Sequence, residues 1–251
     1  MVLTCAVGLS AWVLALSCAQ SCLAAPISLA AHEAYAGGHM IDHPTAPLIG
    51  RYQIDAGGAF VLDRSAPKPM MKFDDAGEIW ALQPAPGPRG DTIYRNDLGE
   101  PMLRSTRMGG MTVFTEKRPD GSAAAFDGAS PPLRLPAVSP PQLYRLFYQA
   151  SIKASRAAFH QIGFETGQDA DSTSAAYVAD AAAVASEALV EIGSLPNGRL
   201  SLAGITDVVI TEGGKANVVL QHRVLTITIV IAEGIAGRPS SRRIEKVAYG
   251  R

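Results

Sequence analysis

Arg51-Tyr52-Gln53-Ile54-Asp55-Ala56-Gly57-Gly58-Ala59-Phe60-Val61-Leu62-Asp63-Arg64 is the stretch that decides how the first half of this chain folds. Tyr52 and Ile54 share one face of residues 51–55, and Phe60 and Leu62 share one face of residues 59–64. A period of two marks a strand with one buried face, and Ala56-Gly57-Gly58 supplies the turn between two such strands. The layout recurs downstream. Residues 71–73 and 79–83 flank Asp74-Asp75-Ala76-Gly77, and residues 92–96 and 102–107 flank Asp97-Leu98-Gly99. Gly109-Gly110 then leads into residues 111–115, and Asp120-Gly121 into 122–126. About eight short strands in succession predict an antiparallel β-meander or a small barrel over residues 48–128. The regular spacing of Asp and Gly reflects what tight turns require, not a duplicated unit. Pro84-Ala85-Pro86-Gly87-Pro88 reads as a loop too proline-rich to be a strand.

Beyond the meander, residues 129–141 read as a proline-rich linker, and the composition changes. Residues 142–162 predict a helix. Its apolar stripe is Leu143, Phe147, Ala150, Ala154 and Ala158, widened by Tyr144, Tyr148, Ile152 and Phe159, with His160 on the polar side. Residues 172–192 predict a second, alanine-rich helix whose Val178, Ala181, Ala185, Leu189 and Ile192 face inward. Residues 207–211, 217–220 and 224–231 read as an antiparallel set, and Pro239-Ser240-Ser241 opens a short basic helix. The fold class expected is α+β: a β-meander or small barrel, then a helix pair with a C-terminal hairpin and short helix over residues 142–251.

Upstream, no ionisable side chain occurs from Met1 to Ala31, and residues 2–19 are apolar or small. Gln20-Ser21-Cys22-Leu23-Ala24-Ala25 follows, the layout of a secretory signal cleaved after Ala24, with residues 25–47 as a flexible leader. An uncleaved anchor is the alternative. All three cysteines, Cys5, Cys18 and Cys22, fall inside the export segment, so the exported protein is expected to hold no thiol and no disulfide. A periplasmic or secreted location in a bacterial envelope is expected. The formal net charge of −1 gives no electrostatic footprint for nucleic acid.

The sequence offers several weak sites. His32, His39 and His43 carry metal-ligand chemistry, but Gly37-Gly38 and Pro44 leave them on a tether that holds ligands poorly. No nucleophile motif is present beyond the first 24 residues. Ser65-Ala66-Pro67-Lys68 matches Ser-x-x-Lys in letters only, because Pro67 lies in a turn where that motif needs a helix start. A hydrolase would have to work through carboxylates, alone or with His160 or His222. Trp80, Arg104 and Arg107, with methionines nearby, are the candidate partner-binding surface. Arg238, Arg242, Arg243, Lys246 and Arg251 make the tail basic, a point of peripheral contact with an anionic membrane or polysaccharide. No cofactor is expected.

Phe60-Val61-Leu62-Asp63-Arg64-Ser65, Arg89-Gly90-Asp91-x-Ile93-Tyr94-x-Asn96-Asp97-x-Gly99 and Ala236-Gly237-Arg238-Pro239-Ser240-Ser241 carry a resemblance. They are similar to an uncharacterised exported family of Caulobacter-like alphaproteobacteria, described as a domain of unknown function. The resemblance covers nearly the whole chain after the signal. It implies export and brings no catalytic residue. Val224-Leu225-Thr226-Ile227-Thr228-Ile229 also looks like the closing strands of small heat-shock proteins, but a generic apolar hairpin accounts for it. The expected role is therefore non-enzymatic binding or scaffolding of an envelope ligand or protein, with the β half as recognition module. The alternative is a hydrolase of an envelope polymer.

Overall fold

Alternating apolar residues in the first half form a nine-stranded antiparallel sheet in the computed structural model, which describes residues 46–167 and 173–250. The strands are β1 (Gly50–Ile54), β2 (Ala59–Asp63), β3 (Met70–Phe73), β4 (Ile79–Ala81), β5 (Gln83–Pro86), β6 (Thr92–Arg95), β7 (Pro101–Ser105), β8 (Met111–Thr115) and β9 (Arg118–Gly128). Their order is β4-β3-β2-β1-β9-β8-β7-β6-β5. The two edges, β4 and β5, are thus consecutive in the chain with only Leu82 between them. Two peptide units span roughly 7 Å, so the sheet must curl until its edges meet. Leu82 extends the β4 pairing through its N–H to Pro69 O at 2.8 Å, and Gln83 then pairs with Arg95 on β6. The result is a barrel closed by one run of chain shared between both edges.

Residues 84–86 correct the expectation of a loop. Pro84 and Pro86 lie in β5, opposite Tyr94 and Thr92. β5 ends the sheet, so its outer backbone has no ladder to complete, and proline there forfeits no hydrogen bond.

The barrel interior is filled rather than hollow over most of its length. Tyr52, Phe60, Leu62, Met71, Leu82, Leu103 and Val113 are buried together. The Tyr52 and Phe60 rings stack with centroids 5.2 Å apart, and Phe73 meets Phe60 edge-on at 6.2 Å.

The second half builds α1 (Pro140–Ala158), β10 (Gly163–Thr166), α2 (Ala175–Ser194), α3 (Gly198–Leu202), β11 (Asp207–Glu212), β12 (Asn217–Gln221), β13 (Val224–Ile229) and α4 (Ser241–Tyr249). The expected inner stripes of α1 and α2 are buried, but of the residues that widen the first stripe Tyr144, Tyr148 and Phe159 are exposed and Ile152 is half-buried. Small side chains let the helices approach closely: a Cβ on Gly193 would stand 3.0 Å from the Cβ of Ala157.

The second sheet has the order β10-β11-β13-β12, and this corrects the antiparallel set. β13 pairs parallel with β11 and antiparallel with β12. Leu225, Ile227 and Ile229 make β13 the most continuously apolar strand, so it takes a central place and displaces β12, where only Val218 is buried, to the edge. β10 was not expected; four residues are too few for a period to show.

Segment 129–139 has no regular structure, yet Leu133 and Leu135 pack with Met70, Ile79 and Ile235 against the outside of β3 and β4. Leu133 N–H also donates to Asp63 at 2.8 Å. Burial works against ionisation of Asp63, but hydrogen bonds from Ser65 and Leu133 outweigh it and hold the carboxyl below its ordinary range.

Candidate functional site

The barrel has two chemically different ends. One carries the turns at residues 55–58, 74–78, 96–100 and 116–117, and it is acidic. Three of those turns each hold an arginine from α4 or the segment leading into it. Glu78 takes Arg238, Asp97 takes Arg243 at 2.7 Å, and Glu116 takes Arg242. Arg238 is the most enclosed. Its Nε donates to Asp180 at 2.6 Å, its Nη1 to Glu78 at 3.1 Å and its Nη2 to Ile79 O at 2.9 Å. Burial pushes the Glu78 carboxyl above its ordinary range although Arg238 pulls it down. Three arginines of the basic tail are therefore neutralised within the chain.

The same end holds a titrating group. Burial pushes the Glu245 carboxyl up to about 7; Arg242 opposes the shift, and Glu116 and Glu191 reinforce it. Because the folded value lies above the ordinary 4.5, the folded protein holds this proton longer than the unfolded chain does. Its contribution is intact below pH 4.5 and is lost as pH rises toward 7. At about 1.4 kcal/mol per pH unit, and discounted for water reaching the site, Glu245→Gln is expected to stabilise the protein by about 1–2 kcal/mol at pH 8 and by almost nothing at pH 4. Urea unfolding at the two pH values checks this.

The opposite end, the mouth, collects the turns at residues 64–69, 87–91 and 106–110, and here the interior is not filled. A cavity of about 350 Å³ opens between Arg64, Pro67, Pro84, Thr92, Tyr94 and Ser105. The strand period explains the lining. Leu62, Tyr94 and Leu103 point into the core, so Arg64, Thr92 and Ser105, two residues away on the same faces, point into it as well. Polar side chains thus form a layer above an apolar floor.

Arg64 donates from Nη1 to Pro47 O at 2.7 Å and pairs with no carboxylate among the described residues. Burial raises the phenols of Tyr52 and Tyr94, and the nearby Arg64 charge draws both back. The Tyr52 hydroxyl donates to Leu48 O at 2.8 Å. The Tyr94 hydroxyl has no hydrogen bond among the described residues and is not sealed from solvent, so it faces the cavity. Other cations ring this end. Arg104 donates to Asp91 at 2.7 Å and the Arg107 side chain lies across Gly90, whereas Lys68, paired with Glu233 at 2.6 Å, lines the crevice beside Trp80 and Arg238.

Arg104 and Arg107 both lie against the turn at residues 87–91, on Asp91 and Gly90, while Trp80 is placed separately. Trp80 pairs with Met71, packs on the barrel core and lines a crevice of about 30 Å³ with Asp97 and Arg238. Arg104 lies on β7 in its pair with Asp91. His160 turns both ring nitrogens to backbone carbonyls, Ile205 O at 2.7 Å and Ala158 O at 3.2 Å. His222 sits on the β12–β13 turn at a φ of 49°. His32, His39 and His43, like the export segment, lie outside the described residues. Among the described residues no three His, Cys, Asp or Glu side chains are grouped to hold a metal ion, and no helix is long and apolar enough to cross a membrane.

The residues that sequence reasoning missed are Arg64, Thr92 and Ser105. Their signal was present: each is polar at a position where the alternation calls for an inward apolar side chain.

No curated protein and no solved structure matches the chain. The match that does exist spans both the barrel and the helical half: residues 31–248 fit one family throughout, and the chain belongs to that family, described as a domain of unknown function, DUF4908.

Proposed function

We propose that this is an exported protein of the bacterial envelope that binds rather than catalyses, with the barrel as its recognition module. The observation that carries the reading is the mouth cavity, whose volume of about 350 Å³ falls in the range of small-molecule sites. Among the described residues its lining includes no carboxylate and no histidine, the groups that a carboxylate hydrolase needs. The His160 ring is turned toward backbone carbonyls, with one of its nitrogens 2.7 Å from Ile205 O, and His222 stands on a hairpin tip outside any cluster of acids among the described residues. Export rests on the apolar run at residues 2–19 and the small residues that follow it.

Native mass spectrometry of the protein isolated from its host's envelope fraction tests both halves of the proposal. The expected species runs from Ala25 to Arg251 and carries a bound molecule. A bare chain that hydrolyses an envelope polymer would overturn the binding reading in favour of the hydrolase. A species that retains Met1 would overturn cleavage.

A further inference from the structure

We infer that the barrel mouth binds a small ligand through an oxyanion head, with Arg64 as its anchor and the hydroxyls of Thr92, Tyr94 and Ser105 as further partners. The inference rests on the barrel being the recognition module and names the chemistry that this module takes.

The first support is a contrast among the arginines. Arg51, Arg104, Arg238, Arg242 and Arg243 each pair with at least one carboxylate, while Arg95, half-buried with only the Gly99 carbonyl as partner, lines neither the mouth nor the Trp80 crevice. Arg64 is half-buried and faces a cavity, yet it has only the Pro47 carbonyl as partner. A guanidinium offers five N–H donors in a planar fork. Leaving most of them without a protein acceptor in a partly desolvated site is costly unless a ligand supplies the acceptors. A carboxylate or a phosphate fits that fork with two parallel hydrogen bonds.

The second support is the sign of the surroundings. Two acids stand at the rim turns and both are engaged: Asp91 is held by Arg104, and Asp63 accepts from the N–H groups of Ser65 and Leu133. Among the described residues no lining side chain carries a negative charge, and the Tyr94 hydroxyl has no hydrogen-bond partner. The third is the wall chemistry. Ala66, Pro67, Pro69 and Pro84 offer apolar surface beside the polar layer, which suits a ligand whose anionic head continues into a short apolar part.

Protein-observed NMR titration of the full chain with hexanoate, hexyl phosphate and hexanol tests this. At least one anion is expected to move the amide signals of Arg64, Thr92, Tyr94 and Ser105, with a Kd about tenfold or more below that of hexanol. Whichever anion binds more tightly identifies the head as carboxylate or phosphate. Arg64→Gln is expected to lose that preference with its other amide signals in place. Arg64→Lys, which keeps the charge without the fork, is expected to retain part of it. Equal binding of hexanol and the anions, or an Arg64→Gln protein that keeps the preference, overturns the anion site. Silence of the mouth amides toward all three probes overturns it as well. The recognition reading is judged separately, by whether the protein from the envelope fraction carries any molecule.

Discussion

Arg238→Met is expected to cost about 3–5 kcal/mol of folding stability. Arg238 is enclosed on all sides, and so is one of its two acid partners: Glu78 is buried and Asp180 nearly so. Removing the cation leaves two carboxylates facing one another without a counter-charge, and the penalty comes from that stranded charge more than from any lost attraction. The side chain also satisfies two backbone carbonyls, Ile79 O and Pro239 O, which would lose their donors. If stranding is the cause, adding Glu78→Gln and Asp180→Asn to Arg238→Met recovers much of the loss, because the triad is then replaced by groups that tolerate burial. Urea unfolding of the single and triple variants makes the comparison. A single-variant loss below about 1 kcal/mol would mean that water reaches the site and that the triad is a surface pair in effect. Trp80 lines the same crevice as Arg238, so its fluorescence reports on this seam directly.

How far the sequence revealed this arrangement depends on whether a feature is local. The hairpins between residues 50 and 126 were legible because each needs only a period of two and a turn, and both lie within about a dozen residues. The buried stripes of α1 and α2 were legible for the same reason. Tyr144 and Tyr148 were misjudged because an apolar residue beside a stripe looks like part of it. Only packing shows that α2 covers one side of α1 and leaves those rings in solvent. The parallel pairing of β11 with β13 could not be read, since strand order is decided by competition among strands for the central place. The tail arginines illustrate a further limit. Arg238, Arg242 and Arg243 read as a basic patch because their partners in the barrel turns, Glu78, Glu116 and Asp97, lie well over a hundred residues away in sequence. Arg64, Thr92 and Ser105 differ from these. Their departure from alternation was visible along the strands, but it acquires meaning only once the closed barrel shows that all three meet at one mouth.

Leu82→Ala is expected to cost about 3–5 kcal/mol, toward the upper end for a leucine truncation. Leu82 is fully buried in the barrel core, and its neighbours Ala81 and Gln83 belong to opposite edges of the sheet. The residues around it are fixed by hydrogen bonds on both sides, so the hole left by truncation cannot collapse easily, and a hole that stays open adds to the lost burial. Leu103→Ala provides the control: it removes the same side chain at the same burial from the interior strand β7. Both variants are expected to lower stability by similar amounts in urea unfolding, but they should differ under hydrogen exchange. Leu82→Ala is expected to loosen amides on β3 and β6 together, because the run that Leu82 centres joins those two strands directly, while the other route between them passes through five strands. Leu103→Ala is expected to loosen β6, β7 and β8 and to spare β3. If Leu82→Ala left β3 as protected as in the parent protein, the sheet would not depend on that residue for closure. The mouth cavity would then be the open end of a curled sheet and not the rim of a closed barrel.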